Sequence, residues 1–260
     1  RNECMSAELK YQDNIAIITL KRPEARNALN AEMIAKLQEF ITEIAPLNLR
    51  AAIFIGDGHK AFCAGADITE LQNKTPAMHL HAIQTGQNLF EQINQLKFPT
   101  LACINGAVLG GGLELAMACT FRICSPTARL GLPEIKLGLI PGYGGTQRLP
   151  RLVGQTKALE LIISGKIISA EEALQIGLIN RILDLDDPIQ TSFQYLDEFG
   201  LQFPAAIQHA IKAVQAASEW DIQNGLALEA ELFVDVSQTA DAAEGIQAFL
   251  EKRPAHFTQK

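Results

Sequence analysis

Two glutamates lie in apolar surroundings in this sequence of 260 residues. Glu114 lies inside the run LGGGLELAMA (109–118), and Glu134 follows a proline in LGLPEIKLGL (130–139). Burial without a partner is costly for a carboxylate and raises its pKa toward neutrality, where it can give or take a proton. The two residues therefore suit acid–base catalysis. The alternative that the sequence leaves open is a structural pair in salt bridges with nearby bases such as Lys136 and Arg148.

Two glycine-containing turns could supply the backbone donors that such chemistry needs. Ala64-Gly65-Ala66 follows the apolar run AAIFIGDG, and Gly110–Gly112 opens the segment that carries Glu114. The first N–H groups of a helix have no intrahelical acceptor, and they bind anions well. Two such turns that converge would form an oxyanion hole, whereas each turn taken alone is more simply an ordinary tight turn. Neither G-x-x-x-x-G-K-[ST] nor G-x-G-x-x-G occurs, so a nucleotide fold is not supported.

Alternating strand and helix patterns must position these residues. Strands are predicted at 14–20, at RAAIFIGDG (50–58) and at LACINGAVL (101–109), with helices at about 31–45, after an Asn30 N-cap, and at about 78–96. Their alternation favours an α/β fold with right-handed crossovers. We therefore predict a core domain over residues 1–200.

Residues 201–260 read instead as three amphipathic helices and form the predicted C-terminal helical region. Their apolar faces need a surface to cover them. That surface is either the core of the same chain or a neighbouring subunit, and the sequence leaves both open.

Composition excludes several classes of function. The net charge is −7 without a run of Lys or Arg, which disfavours nucleic-acid partners. No apolar run reaches the roughly 18 residues of a membrane span, and residues 1–10 lack the apolar core of a signal peptide. The five cysteines form no C-x-x-C pair, and the histidines show no metal-binding spacing. We expect a cytoplasmic protein without a metal or a membrane partner.

Three segments together resemble the crotonase superfamily and, within it, the enoyl-CoA hydratases. They are AFCAGADI (61–68), INGAVLGGGLELAMAC (104–119) and LGLPEIKLGLIPGYGGTQRLPRLVG (130–154), and the similarity extends over nearly the whole chain. The resemblance implies an α/β spiral of ββα units, followed by a C-terminal helical region that forms trimers, commonly paired into hexamers.

The resemblance also assigns residues to roles. It implies that the backbone N–H groups of Ala66 and Gly111 form the oxyanion hole for an acyl-CoA thioester. It identifies Glu114 and Glu134 with the catalytic glutamates of the family, and Gly142 with the N–H that positions water. The implied reaction adds water to a 2-enoyl-CoA to give a 3-hydroxyacyl-CoA in fatty-acid or related degradation. No cofactor is implied, because coenzyme A is part of the substrate.

Further positions are implied as substrate contacts. Near the N-terminal half they are Glu24, Ala25, Arg26, Ala64, Asp67 and Ile68. Phe249 and Lys252 would reach the nucleotide in an adjacent subunit, although Lys252 could equally be a solvated surface charge. Tyr143 could shorten the acyl pocket or merely pack against it.

Possession of both glutamates distinguishes between members of the superfamily. A similar enoyl-CoA isomerase usually keeps the position of Glu134 and lacks the acid at Glu114, and other members place an aspartate in the site. The sequence therefore predicts a hydratase. An isomerase or other acyl-CoA lyase is the alternative, and a non-catalytic CoA-binding or RNA-associated protein is less favoured.

Overall fold

The structure is a computed structural model that describes residues 6–200 and 204–258. Residues 1–5, which belong to the stretch inspected for a signal peptide, lie outside that range. In chain order the strands are β1 (Ala7–Gln12), β2 (Ile15–Leu20), β3 (Ala51–Gly56), β4 (Ala61–Cys63), β5 (Thr100–Ile104), β6 (Ala107–Leu109), β7 (Phe121–Cys124), β8 (Arg129–Gly131), β9 (Ile168–Ser169) and β10 (Arg181–Ile182).

The helices of the described residues run between and after these strands. They are α1 (Ala31–Ile44), α2 (Pro76–Asn94), α3 (Gly111–Ala118), α4 (Gly145–Val153), α5 (Gln155–Ser164), α6 (Ala170–Gln175), α7 (Pro188–Asp197), α8 (Pro204–Ala216), α9 (Ile222–Ser237) and α10 (Ala240–Glu251). Short 3-10 helices occupy Pro23–Ala25, Ile68–Leu71 and Pro133–Leu137. The predicted N-cap of α1 is confirmed, since the side chain of Asn30 accepts a hydrogen bond from the N–H of Met33.

The strands divide between two sheets in an alternating manner. The larger sheet has the order β1-β2-β3-β5-β7-β10 and the smaller one β4-β6-β8-β9. All neighbouring strands are parallel except β1 with β2 and β8 with β9. Successive units β3-β4-α2 and β5-β6-α3 each place one strand in each sheet before a helix, and β7-β8 begins a third unit. The structure thus confirms the α/β class and the spiral of ββα units.

The prediction of one continuous strand over LACINGAVL was wrong. The segment forms β5 in the larger sheet and β6 in the smaller sheet, with a corner at Asn105. The side-chain amide of Asn105 donates to the carbonyl oxygens of Gly56 and Gly58, each at 2.7 Å. These two hydrogen bonds attach the corner to the end of β3 and the turn after it. The apolar pattern of the segment alone did not indicate the corner.

The core lies on both faces of the larger sheet. Side chains that alternate along β3 point to opposite faces, so Phe54 joins the cluster that contains Leu37 of α1 and Leu113 of α3. Ile53 joins the second cluster, which α7 covers with Phe193 and other residues. The central strands β3 and β5 are buried along their whole length, as expected for a parallel sheet covered on two faces.

The last three helices carry far less buried surface than the core. Among the described side chains, α8, α9 and α10 each bury a single residue, namely Ala216, Leu232 and Ala248. α8 meets the core through Ile207, which packs against the second cluster, and α8 and α9 pack on each other. The division into regions 1–200 and 201–260 stays a prediction. Across the described ranges, every helix is too short or too polar to cross a membrane.

Candidate active site

The two glycine-containing turns predicted to converge do meet in the structure. A Cβ built on Gly110 would lie 3.6 Å from the Cα of Gly65, and one built on Gly65 would lie 3.5 Å from the carbonyl oxygen of Leu109. Both glycines have positive φ angles, +113° at Gly65 and +50° at Gly110. These conformations are strained for residues with a side chain, so glycine is required where the turns touch.

The first turn is held so that one N–H remains free. The N–H of Leu29 donates to the carbonyl of Gly65 at 2.8 Å, and the N–H of Asp67 donates to the carbonyl of Leu29 at 2.7 Å. The N–H of Ala66, between these two bonds, takes part in no hydrogen bond within residues 6–200 and 204–258. Its donor is therefore available to a ligand.

The second free donor belongs to the beginning of α3. Gly111 is the first residue of this helix, and its N–H is likewise not used by any acceptor among the described residues. At Gly112 a Cβ would collide with the backbone of Cys63. This close contact packs the start of α3 directly against the end of β4, which leads into the turn of Ala66. The two expected oxyanion donors thus lie on adjoining turns.

Glu114 points from the first turn of α3 and is almost completely buried, with 1% of its surface exposed. Its Oε1 accepts the N–H of Tyr143 at 2.8 Å and the N–H of Gly145 at 2.7 Å. Burial is the main cause that raises its pKa, to about 7, and the negative charge of Glu134 adds to the rise. The two backbone bonds and the positive charge of Arg148 oppose that rise. A carboxylate with such a pKa can exchange a proton near neutral pH.

Glu134 reaches the same place from another element. It lies in the 3-10 helix Pro133–Leu137, just after β8, and a Cβ built on Gly110 would lie 2.8 Å from its Oε1. Its Oε2 is buried and has no hydrogen-bond partner in the described chain. Burial is the main cause that raises the pKa of Glu134. An unpartnered buried carboxylate oxygen is costly unless a ligand or water completes it.

Neither glutamate is a member of a salt bridge in the described ranges, so the structural-pair alternative is wrong. Arg148 pairs instead with Glu91 of α2, at 3.0 Å. The electrostatic interaction between Glu114 and Glu134 makes them a coupled pair of carboxylates.

The loop before α4, which contains Gly142, Tyr143 and Gly144, lies beside Glu114. The N–H of Gly142 is not used by any hydrogen bond of the described residues, and the carbonyl of Gly142 accepts from the side chain of Gln87 at 2.8 Å. The ring of Tyr143 contacts Gly86, where a Cβ would overlap it, and packs edge-on against Phe90. Its Cδ2 would lie 3.2 Å from a Cβ on Gly111. Tyr143 thus fills the space between α2 and the beginning of α3.

The expected coenzyme A contacts of the first half of the chain form one cluster. The 3-10 helix Pro23–Ala25 and Arg26 adjoin the turn 64–68, because the N–H of Ala64 donates to the carbonyl of Arg26 at 3.0 Å. Arg22, which the sequence analysis overlooked, bonds Asp67 at 3.0 Å and thereby ties the two segments together. Glu24, Arg26 and Ile68 are exposed and therefore accessible to a ligand.

Within the described part of the chain, no hydrogen bond or ion pair joins Phe249 or Lys252 to this cluster. Phe249 and Lys252 are three residues apart in the sequence, a spacing that predicts one shared face on a helix, and this prediction was wrong because the helix does not extend to Lys252. α10 ends at Glu251, and Lys252 caps it in a left-handed conformation with φ of 55°. Phe249 is 83% exposed.

Gln87, Glu91 and Arg148 are functional candidates that the sequence analysis did not place around the loop. Arg148 lies four residues after Gly144 on the helix that the loop opens, which brings its side chain back beneath the loop. Gln87 and Glu91 are one helical turn apart on α2 and share a face. That spacing was readable, but nothing in the sequence showed that α2 faces the loop.

The chain matches the family model described as enoyl-CoA hydratase/isomerase over residues 10–260. It is 37% identical over 246 residues to the short-chain-enoyl-CoA hydratase of Clostridium acetobutylicum, with 94% of each chain covered. It is 36% identical over 253 residues to the crotonyl-CoA hydratase of Syntrophomonas wolfei, with 97% of each covered. A crystal structure of an enoyl-CoA hydratase from Bacillus anthracis matches with a TM-score of 0.92 and 37% identity, over 98% of this chain and 100% of that one. This chain belongs to the enoyl-CoA hydratase/isomerase family.

Proposed function

We propose that this protein is an enoyl-CoA hydratase that adds water to the double bond of a 2-enoyl-CoA to give a 3-hydroxyacyl-CoA. One observation carries the proposal. Two buried or half-buried carboxylates with raised pKa values, Glu114 and Glu134, lie beside two converging turns whose N–H groups at Ala66 and Gly111 have no acceptor in the described chain. This arrangement provides proton transfer and oxyanion stabilisation together.

The thioester carbonyl accepts the N–H groups of Ala66 and Gly111 in this mechanism. As water attacks Cβ, negative charge develops on the carbonyl oxygen, and donors preorganised there stabilise it. The loss of one such donor costs roughly 2.7–4 kcal/mol in a characterised hydrolase.

The glutamates handle the water and its protons. Oε1 of Glu114 is occupied by two loop N–H groups, while its Oε2 accepts no hydrogen bond within the described residues. The free oxygens of Glu114 and Glu134, with the N–H of Gly142, can hold a water. The hydroxyl of that water bonds to Cβ, one proton is taken up by the carboxylate pair, and a proton is delivered to Cα. We treat the pair as one acid–base unit.

An enoyl-CoA isomerase is the second candidate, because moving a proton across an enolate uses the same groups. The presence of Glu114 beside Glu134 favours hydration, since an isomerisation needs no second carboxylate to activate water. A non-catalytic CoA-binding or RNA-associated role is disfavoured by the unpartnered Oε2 of Glu134, because a binding module would have no need for that cost.

Short acyl groups are the preferred substrates in this proposal. The ring of Tyr143 occupies the space between Gly86, Phe90 and Gly111, next to the oxyanion donor. A long acyl chain leaving the reacting carbons would compete with that ring. The names of the Clostridium and Syntrophomonas relatives, which specify short-chain and crotonyl substrates, support the same choice.

Coenzyme A would lie along Glu24, Ala25 and Arg26 and over the turn of Ala64, Asp67 and Ile68. Exposure of Glu24, Arg26 and Ile68 beside the oxyanion donor supports that placement. No separate cofactor is needed for hydration, since coenzyme A enters with the substrate. We place the reaction in the cytoplasm, in fatty-acid or related acyl-CoA degradation.

The protein would act as a homotrimer or hexamer. The C-terminal helices expose large apolar side chains that a neighbouring subunit would cover, among them Val214 (72%), Ile222 (75%), Phe233 (74%), Phe249 (83%) and Leu250 (70%). Covering apolar surface contributes about 25 cal/mol per Å². In such an assembly Phe249 and Lys252 would approach the coenzyme A of an adjacent subunit.

The test is the loss of enoyl absorbance when purified protein is added to crotonyl-CoA. Wild-type protein is expected to consume crotonyl-CoA and form 3-hydroxybutyryl-CoA, and Glu134→Gln is expected to slow this by about 10²–10⁴-fold. Glu32→Gln, an equal change on the exposed side of α1, serves as the matched control and should leave the rate unchanged. Absence of hydration by the folded wild type, or full activity of Glu134→Gln, would overturn the proposal.

A further inference from the structure

The loop that binds Glu114 also accepts a hydrogen bond from the guanidinium of Arg148. Nη1 of Arg148 donates to the carbonyl oxygen of Tyr143 at 3.2 Å, and its Nη2 donates to Oε2 of Glu91 at 3.0 Å. A Cβ built on Gly144 would collide with Nη1 of Arg148, so the guanidinium lies directly against the loop. The cation therefore contacts the segment whose N–H groups reach Glu114.

Burial strengthens the interaction between the charge of Arg148 and the groups around it. The side chain of Arg148 is 17% exposed, whereas that of its partner Glu91 is 45% exposed. A charge that is mostly removed from water interacts more strongly with its surroundings than one in solvent. The positive member of the pair thus lies inside, toward Glu114, and the negative member lies toward the surface.

We propose that Arg148 is a positioning residue whose charge, moderated by Glu91, favours the ionised form of Glu114 through the loop and so shifts the pH range of the hydration. This inference rests on the proposed function, in which Glu114 exchanges protons during turnover. It also predicts a role for α2, because Glu91 lies far along that helix and touches neither catalytic carboxylate through any hydrogen bond of the described chain.

Other charged and titratable side chains of the described residues also lie near Glu114. Glu134 faces it from the 3-10 helix after β8 and raises its pKa, whereas Arg148 from α4 lowers it. Tyr143 belongs to the loop that binds Glu114, and the pKa of its phenol is raised, mainly by burial. At the far end of α3, Arg122 donates to the carbonyls of Ala116 and Cys119.

Charge and structure make different predictions for the two members of the ion pair. Arg148→Gln removes the attraction that favours ionised Glu114, so the pKa of Glu114 should rise. Glu91→Gln removes the carboxylate that offsets Arg148, so the same pKa should fall. If the ion pair only braced the loop, either substitution would break the same brace, and both would act in the same direction.

The experiment compares kcat/KM for crotonyl-CoA against pH in wild type, Arg148→Gln, Arg148→Lys and Glu91→Gln. Arg181→Gln, which breaks the half-exposed ion pair with Glu198, is the matched control and should reproduce the wild-type profile. We expect the apparent pKa values of the carboxylate pair to move up in Arg148→Gln and down in Glu91→Gln. Arg148→Lys keeps the charge and should keep the profile, with a lower kcat because it lacks the planar fork.

A readout without substrate separates this inference from the proposed function. The pH dependence of unfolding is measured for each variant and for the same variant carrying Glu114→Gln, so that the difference reports the titration of Glu114. Shifts of opposite sign in Arg148→Gln and Glu91→Gln support the inference even if hydration is absent. Shifts of the same sign, or none, overturn it even if the enzyme is active. Should Arg148→Gln fail to fold, Glu91→Gln with an unmoved or raised pKa would overturn it alone.

Discussion

Glu114→Gln should make the protein more stable at neutral to alkaline pH while it removes most of the activity. The glutamine carbonyl can still accept the N–H groups of Tyr143 and Gly145, which Oε1 of Glu114 accepts at 2.8 and 2.7 Å. The loop therefore keeps its geometry. What the substitution removes is the buried negative charge and the exchangeable proton.

The size of the stability gain follows from the pKa of Glu114. Its ordinary value is 4.5, and in the folded protein it is raised to about 7, first of all by burial. Because each pKa unit corresponds to about 1.36 kcal/mol, ionisation of Glu114 costs the folded state roughly 3 kcal/mol. The folded form binds the proton more tightly than the unfolded form. Protonation of Glu114 therefore stabilises the folded state fully below pH 4.5, and this stabilisation is lost as the pH rises through about 7.

The assay measures the free energy of unfolding by denaturant between pH 5 and pH 8.5, at one fixed protein concentration because the proposed subunit association would contribute to stability. Wild type and Glu114→Gln should differ by less than about 1 kcal/mol at pH 5, and the variant should be about 2–4 kcal/mol more stable than wild type at pH 8.5. In parallel, hydration of crotonyl-CoA should fall by about 10²–10⁴-fold.

Glu32→Gln is again the control, because Glu32 is exposed in the first turn of α1. Its replacement should leave hydration unchanged and should change the free energy of unfolding by no more than about 1 kcal/mol. A difference in stability between wild type and Glu114→Gln that stays constant with pH would refute the reasoning. It would mean that Glu114 does not titrate in this range.

Substitutions at four further positions test the site and the surface. Gly111→Val places a branched side chain at Gly111, where a Cβ alone would lie 3.2 Å from the side chains of Leu29 and Tyr143. We expect turnover to be lost in this variant and to fall less in Gly111→Ala. Normal kinetics in a folded Gly111→Val would show that Gly111 is not part of an oxyanion hole. Tyr143→Ala should raise kcat/KM for a ten-carbon enoyl-CoA relative to crotonyl-CoA, since the ring no longer fills the space; an unchanged ratio would show that the ring only packs. Phe233→Asp should lower the mass measured by light scattering and raise the KM for acyl-CoA. Lys252→Ala should raise that KM without changing the mass, and more at low salt than at high salt. A monomeric, fully active wild type would contradict both predictions.

The residues that could do chemistry and most of the local structure can be predicted from single segments of the sequence. The carboxylates at 114 and 134, the glycines at 65 and 110 and the Asn30 cap were all readable, because each depends on a residue type at a fixed position within one short segment. The buried strands around Ile53 and Leu101 were readable too, since their apolar runs reflect burial on both faces. The ordered resemblance of three such segments was then enough to identify the family.

Which segments meet depends on contacts between residues that are far apart in the sequence. The corner at Asn105 depends on carbonyls of Gly56 and Gly58, about fifty residues away, and no local pattern contains that information. The contact of Arg148 with Glu91, instead of with Glu114 or Glu134, likewise depends on how α2 packs beside the loop. A sequence states which groups are present, whereas a pKa depends on the distances and burial that the packing imposes. For that reason the sequence supplied the two glutamates, and only the fold set their proton affinities.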